Sequence, residues 1–168
     1  MTIYRFGKVI EEPDIYVFDV DGTITNVSDR VKLLQQTNVQ KQHWDEFFRR
    51  CVEDTPNTNI IKLMCSLYNG GAKIYIFTGR QEAEREVTAE QINRFCLATC
   101  ATNFYPEKMF MRRTGDDSED TDIKTRNYQQ LSDDEKDRII CVFEDRDSVV
   151  AMWRELNITC CQVRPGNY

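Results

Sequence analysis

The chain has 168 residues, enough for a single domain with its own hydrophobic core. Hydrophobic residues make up 40% of it and charged residues 30%, proportions typical of an ordinary globular protein. The formal net charge of −6 argues against a protein that coats nucleic acid, because such coating needs a basic surface. A nucleic-acid end remains open as a substrate, because one terminal phosphate needs only a few local cations.

Short apolar runs alternate with amphipathic segments, which is the pattern of a parallel sheet flanked by helices. The predicted strands cover residues 15–19, 73–77, 108–111, 139–143 and 159–163. The first, second and fourth are nearly continuous apolar runs, as expected for buried parallel strands. The predicted helices cover residues 29–36, 40–53, 58–68, 82–97, 123–131 and 148–156, with Ser28 as the N-cap of the first. We therefore predict an α/β fold with a parallel sheet of about five strands between helices.

The long segment after the first strand is unusual. About 50 residues separate Asp21 from the second strand, too many for a simple βα loop. They predict a small helical insertion over residues 26–57, lying above the edge where open α/β sheets bind ligands. Residues 112–122 are rich in Gly, Arg, Asp and Glu and are interpreted as an exposed loop. No repeat or interdomain linker is visible, so residues 1–168 are predicted to form a single domain.

The cysteine pattern bears on the compartment. Seven cysteines are an odd number, and none forms a Cys-x-x-Cys unit, which favours buried thiols in a reducing environment. The chain has no apolar run of about 18 residues and no apolar signal region at its N-terminus. We predict a cytoplasmic protein without membrane contact. The lone His43 cannot build a histidine metal centre.

Chemically active side chains lie at or near the ends of the predicted strands. In chain order they are Asp19 and Asp21, Thr78, Lys124, and the pair Glu144 and Asp145. Because the carboxyl ends of parallel strands meet at one edge, we expect these side chains to share a crevice. The full set, in this order, is difficult to explain by solvation alone.

These groups together fit phosphoryl transfer. A carboxylate is a competent nucleophile toward phosphorus, so Asp19 is predicted to form an aspartyl-phosphate. Its charge repels a phosphate dianion, and clustered carboxylates suit Mg²⁺, the cation that we predict between the two. Asp19 and Asp145 are the predicted ligands, with the backbone carbonyl of Asp21 as a third and Glu144 beside them.

The remaining groups have predicted roles around the phosphate. Lys124 and the Thr78 hydroxyl would bind phosphate oxygens in the transition state. Asp21 would protonate the leaving oxygen and later deprotonate the attacking water. Gly22 permits a tight turn that brings backbone N–H groups near the phosphate. We also assign Thr23 and Gly79 to the substrate-binding surface.

The ordered motifs resemble a known family. The chain has Asp19-x-Asp21-Gly22-Thr23 after an apolar strand, then Thr-Gly-Arg at 78–80, then a lysine and an acidic pair. This ordered set is similar to the motifs of the haloacid dehalogenase superfamily of aspartate-nucleophile phosphatases. These motifs span residues 19–147, most of the chain. The resemblance implies a Rossmann-like parallel sheet and supports the roles given above.

A closer resemblance concerns the later part of the chain. Four segments resemble the 3′-phosphatase domain of bacteriophage polynucleotide kinase-phosphatase: residues 44–48, 111–116, 144–154 and 161–163. The resemblance implies that Arg30 and Arg80 help to hold the substrate and that Asp120, four residues before the motif lysine, belongs to the site. It also implies a 3′-phosphate on a polynucleotide end or a nucleotide as substrate.

Two departures from that family stand out. Glu144 occupies a position where the family usually has Asp, and its longer reach leaves its part in metal binding open. No Gly-x-x-x-x-Gly-Lys-Ser/Thr loop occurs, so we predict no kinase activity.

Plainer interpretations stay open for several of these residues. Arg30 could be a surface arginine on an amphipathic helix, and Asp120 could belong to a solvated acidic loop. Trp44, Phe47 and Phe48 fit one apolar helix face, which favours packing over base stacking. The alternative functions are a small-molecule phosphatase, such as a nucleotidase, and a non-catalytic phosphate-binding module on the same fold.

Overall fold

The computed structural model describes residues 3–5, 8–10, 12–35 and 38–166. The strands are β1 Ile3–Arg5, β2 Lys8–Ile10, β3 Ile15–Phe18, β4 Thr25–Asn26, β5 Thr55–Pro56, β6 Lys73–Gln81, β7 Lys108–Arg112, β8 Ile139–Arg146 and β9 Cys160–Gly166. The helices are α1 Ser28–Val31, α2 Lys41–Arg49, α3 Thr58–Asn69, α4 Arg85–Cys100, α5 Asp120–Gln129, α6 Asp133–Asp137 and α7 Asp147–Glu155. Two 3₁₀ turns cover Arg50–Glu53 and Glu82–Glu84.

Five parallel strands form the central sheet, in the order β7-β6-β3-β8-β9. Phe18 at the end of β3 lies opposite Ile76 of β6 and Phe143 of β8, so the carboxyl ends of these three strands meet at one edge. The predicted five-stranded parallel sheet is therefore confirmed.

The inner strand β3 is apolar throughout because both faces of the sheet are covered there. On one face, Phe18 and Ile76 pack with side chains of α3 and α4, such as Met64 and Phe95. On the other face, Val17, Tyr75 and Phe77 pack with side chains of α7, including the fully buried Trp153. This two-sided burial explains why β3 and β6 read as continuous apolar runs in the sequence.

Several element boundaries differ from the prediction. β6 continues to Gln81 and β8 to Arg146, beyond irregularities in their pairing with β7 and β9, so Thr78 and the acidic pair lie within strands. The predicted 29–36 helix is the short α1, and its residue 36 lies outside the described residues. The prediction that Ser28 is its N-cap was wrong: Val27 holds that position, and the Ser28 hydroxyl donates to Asn26 Oδ1 at 2.5 Å. α5 begins earlier than predicted, within the stretch interpreted as a loop.

The predicted helical insertion is present between β4 and β5. These two short strands pair antiparallel and close the base of a segment that contains α1, α2 and a 3₁₀ turn. Val27, Val31 and Phe47 form its own small core.

Three features were not predicted: the β1–β2 hairpin, the β4–β5 pair and helix α6. Among the described residues, no helix combines the length and the apolar character that a membrane crossing requires.

Candidate active site

Asp19 lies at the centre of the site, directly after β3, and is only 4% exposed. Its backbone N–H donates to the Phe143 carbonyl of the neighbouring β8 at 3.0 Å, which fixes its position at the sheet edge. One carboxylate oxygen of Asp19 accepts a hydrogen bond of 2.7 Å from the Lys124 ammonium, which α5 supplies and which is 1% exposed. The predicted nucleophile and the predicted phosphate-binding lysine are therefore in direct contact.

Asp19, Glu144 and Asp145 form a cluster of carboxylates. Each offers an oxygen, and these oxygens lie within 4.8 Å of one another in a buried space. Burial and then the charge of Glu144 raise the pKa of Asp19 well above its usual value, while Lys124 acts in the opposite direction. The cluster is thus electrostatically costly with these protein charges alone.

The repulsion between these carboxylates and the chemistry of their oxygens show whether the cluster suits Mg²⁺. Three carboxylates and one ammonium leave an excess of negative charge that a divalent cation would balance. Carboxylate oxygens are the protein donors that Mg²⁺ prefers. Asp19, Glu144 and Asp145 therefore fit the ion.

Both carboxylate oxygens of Glu144 accept hydrogen bonds from protein donors. Its Oε2 accepts a 2.7 Å hydrogen bond from Lys124. Its Oε1 accepts from the backbone N–H groups of Asp145 at 3.1 Å and Arg146 at 3.2 Å. The side chain folds back onto its own strand, so the extra methylene is absorbed locally.

Asp21 lies in a different environment from Asp19. Its Oδ1 accepts hydrogen bonds from Arg80 at 2.8 and 3.0 Å and another from Arg30. Burial opposes ionisation, but Arg80 and Arg30 outweigh it and hold the pKa of Asp21 well below its usual value. Both arginines are almost fully buried, at 0% and 2% exposed, so the surface interpretation of Arg30 was wrong.

Asp54 completes this network and was missed in the sequence. Its carboxylate accepts hydrogen bonds from Arg30 at 2.8 and 2.6 Å, and one of 3.1 Å from the Thr25 hydroxyl. Arg80 lies 3.4 Å away. Two buried arginines require two carboxylates, so the two arginines predicted to hold the substrate could have prompted a search for a second acid.

The Thr78-Gly79-Arg80 segment lies within β6 and packs against α5. Thr78 is fully buried, and its hydroxyl accepts from the Arg80 backbone N–H at 3.2 Å. A Cβ atom on Gly79 would lie 2.6 Å from Asp120 Oδ1, so any larger residue there would displace the Asp120 carboxylate. Asp120 is 8% exposed and its Oδ2 lies 3.3 Å from Lys124, so the solvated-loop interpretation of Asp120 was wrong. Burial opposes its ionisation, but nearby cations, Lys124 first, lower its pKa.

The turn after the nucleophile is held from the far end of the chain. Gly22 has a φ of +92°, as the predicted tight turn requires. Arg164 of β9, which the sequence did not single out, donates to the Gly22 carbonyl at 2.6 Å and to the Thr25 carbonyl at 3.0 Å. Gly166 of the same strand packs so closely that a Cβ there would lie 2.7 Å from an oxygen of Asp145.

Thr23 belongs to the same turn and is fully buried. Within the described residues its hydroxyl has no hydrogen-bond partner. The structure thus brings all the predicted site residues to one edge of the sheet.

A cleft of about 370 Å³ opens over Asp19. Its floor is formed by the site carboxylates, one wall by α2, and the other by the segment between β7 and α5. The lining residues are Asp19, Asp21, Trp44, Asp45, Phe47, Phe48, Gly79, Gln81, Arg112, Asp116, Asp117, Ser118, Glu119, Asp120, Glu144, Asp145 and Arg146. Thr78, Lys124, Arg30 and Arg80 are not among them. The guanidinium groups of the two arginines contact carboxylates instead.

Comparison with known proteins identifies a family model that matches this chain. The family model described as the polynucleotide kinase PNKP phosphatase domain matches residues 13–168. No curated protein matches the chain by sequence.

Solved structures share the fold. A chain of the Pnkp1/Rnl/Hen1 complex is 24% identical, with a TM-score of 0.67 over 93% of this chain and 47% of its own. A chain of the Pnkp1/Rnl/Hen1 RNA repair complex is 23% identical, with a TM-score of 0.68 over 93% of this chain and 44% of its own. This chain therefore spans about half the length of these two. A haloacid dehalogenase-like hydrolase from Streptococcus pneumoniae is 13% identical, with a TM-score of 0.56 over 89% of this chain and 84% of its own.

Proposed function

We propose that this chain removes 3′-phosphates from polynucleotide ends or nucleotides, with Mg²⁺ as cofactor. The premise is its family: the chain belongs to the polynucleotide kinase PNKP phosphatase-domain family and is a phosphatase of the haloacid dehalogenase type. The observation that carries the proposal is the Asp19 carboxylate, buried 2.7 Å from Lys124 at the base of an open cleft. A carboxylate in this position has a lysine to hold the phosphate that it attacks.

The reaction that we propose has two steps. In the first, an oxygen of Asp19 forms a bond to phosphorus, the bond from phosphorus to the 3′-oxygen breaks, and that oxygen takes a proton from Asp21. Because Arg80 and Arg30 favour the charged form of Asp21, its carboxylate must bind a proton before this step. In the second, Asp21 accepts a proton from water as the water oxygen attacks phosphorus, which releases phosphate and restores Asp19. Lys124 and the Thr78 hydroxyl bind phosphate oxygens throughout, near the backbone of the turn at Gly22.

Asp19, Glu144 and Asp145, with the backbone carbonyl of Asp21, would hold Mg²⁺. The ion would supply the positive charge that lets a carboxylate approach a phosphate dianion. Arg30 and Arg80 have a different role here from the direct substrate contact that the family resemblance implies. Since their guanidinium groups contact the carboxylate of Asp21, we assign them to positioning Asp21.

The proposal extends to the organisation of the chain. We propose that residues 1–168 act as one phosphatase domain, with residues 26–57 as its insertion, and without kinase activity because the sequence has no phosphate-binding loop of the kinase type. All seven cysteines are free thiols, which supports a reducing compartment such as the cytoplasm.

The test is phosphate release, with Mg²⁺ present, from one oligonucleotide that carries its phosphate at either the 3′ or the 5′ end, compared with nucleoside monophosphates and sugar phosphates. We expect a preference for the 3′-phosphate, and equal rates on sugar phosphates would favour the small-molecule alternative. Asp19→Asn should abolish turnover, whereas Asp21→Asn should slow both steps without preventing metal binding. Asp29→Asn, at an exposed carboxylate, is the matched control. Turnover by the Asp19→Asn variant would refute the covalent mechanism.

A further inference from the structure

The α2 wall of the cleft, which faces the segment between β7 and α5, carries aromatic side chains. Trp44 and Phe48 of α2 are half-buried and line the cleft, with ring centroids 6.1 Å apart and planes inclined by 29°. Phe47, between them in sequence, is only 2% exposed and meets both rings edge to face at 5.8 and 5.5 Å. The apolar helix face therefore divides into one core ring and two rings that are open to a ligand.

This wall is fixed relative to the reactive groups. The Arg30 guanidinium stacks on the Phe47 ring at 4.1 Å and donates to the Phe47 carbonyl at 3.2 Å, while it also contacts Asp21. One buried arginine thus joins α2 to Asp21. A phosphate ester bound at Asp19 would have its alcohol portion placed along the same cleft that Trp44 and Phe48 line.

The second wall, the segment between β7 and α5, limits the charge of the ligand that the cleft can bind. Asp117 and Glu119 line the cleft from exposed positions on this wall, and Asp45 does so from α2. Two arginines also line the cleft. Arg112 donates to the carbonyls of Gly79 at 2.9 Å, Asp116 at 2.9 Å and Ser118 at 2.6 Å, and Arg146 lies 3.8 Å from Asp120. The acidic rim repels further phosphates, and its carboxylates can accept hydrogen bonds from amino groups. A flat, uncharged group with N–H donors suits this space.

We propose that Trp44 and Phe48 form the binding surface for the base of the nucleotide whose phosphate Asp19 attacks. The cleft volume of about 370 Å³ is at the small end of the range for ligand sites, which suits one nucleoside and not a run of nucleotides. Stacking on aromatic rings accepts any base, since every base has a π face. This inference rests on the proposed function, because it takes the substrate to be a nucleotide end.

The first experiment compares kcat/KM for two 3′-phosphorylated oligonucleotides that differ only in whether the terminal residue carries a base or is abasic. We expect Trp44→Ala and Phe48→Ala each to lower kcat/KM for the base-bearing substrate about tenfold, mainly through KM, and to leave the abasic substrate unchanged. Phe48→Leu keeps apolar volume without an aromatic ring and should give the same selective loss. Tyr105→Ala is the matched control: it removes a 64% exposed aromatic ring near the start of β7, at the opposite edge of the sheet.

A binding measurement separates this inference from the proposed activity. The chain has two tryptophans, and Trp153 is fully buried in the core. In an Asp19→Asn background, a nucleoside 3′-monophosphate should quench Trp44 fluorescence, and Trp44→Phe should remove that response. Quenching without phosphatase activity in the parent protein would refute the proposed function but retain the base surface. Equal losses on both oligonucleotides, or no quenching by nucleotides in a protein that does hydrolyse 3′-phosphates, would overturn the base surface alone.

Discussion

Replacing Asp54 tests whether the buried arginines depend on both of their carboxylates. Asp54 accepts two hydrogen bonds from Arg30 and one from Thr25, and its side chain is 4% exposed. Burial raises the pKa of Asp54, and Arg30 acts in the opposite direction. The larger effect of Asp54→Ala comes from leaving Arg30 and Arg80 with one counter-charge, Asp21, in a buried space.

Removing one partner of a buried ion pair costs about 3–5 kcal/mol. Arg30 retains Asp21 and the Phe47 carbonyl, so we expect Asp54→Ala to lower the free energy of unfolding by about 3 kcal/mol. Asp54→Asn keeps the shape and should cost about half as much. Activity should fall at least about tenfold in both, because Arg30 then shifts its position on Asp21.

Urea unfolding followed by circular dichroism measures the stability, and phosphate release measures the activity. Asp29→Ala is the control, because that carboxylate is 90% exposed and pairs with Lys32, so the urea midpoint should not move. An Asp54→Ala variant with the stability of the parent protein would refute the reasoning that this network needs two acids.

Two further predictions concern close packing and pH. Gly79→Ala should lower kcat/KM at least about tenfold and stability by about 1–3 kcal/mol, because its Cβ would lie 2.6 Å from Asp120 Oδ1. The stability loss should vanish in a background of Asp120→Ala, and its persistence there would show that the clash is elsewhere. Glu135 accepts hydrogen bonds from Lys108 at 2.6 Å and from Tyr75, and these outweigh burial and lower its pKa from 4.5 to about 2. Its lowered pKa stabilises the fold above pH 4.5, and that contribution disappears as the pH falls through about 2. Unfolding free energies measured across this range should therefore show Glu135→Gln about 1 kcal/mol less stable than the parent at neutral pH and equal to it near pH 2. A difference that does not vary with pH would contradict this account.

The central sheet could be predicted because its signal is local. A strand such as β3, buried on both faces, must be apolar at every position, and the acids that follow it stand out against that background. The ends of β6 and β8 were missed because they are polar, and only irregular pairing with β7 and β9 extends them.

Residues that act across the chain carried no such signal. Asp54 pairs with Arg30 across 24 positions, and Arg164 meets Gly22 across 142, so neither contact follows from a local pattern. Helix α6 is five polar residues without apolar periodicity, although Ser132 and Glu135 at capping-box spacing were a usable signal.

Arg164 and Gly166 connect the edge strand β9 to residues around the nucleophile, because they contact Gly22 and Asp145. β9 has one hydrogen-bonded neighbour in the sheet, β8, whereas β3 has two. A strand bonded on one side opens at a lower free energy than an interior strand, so local opening of β9 releases the Gly22 turn while the rest of the sheet persists. Heat should thus inactivate the protein at a lower temperature than it melts the sheet, with faster hydrogen exchange in β9 accompanying the loss of activity.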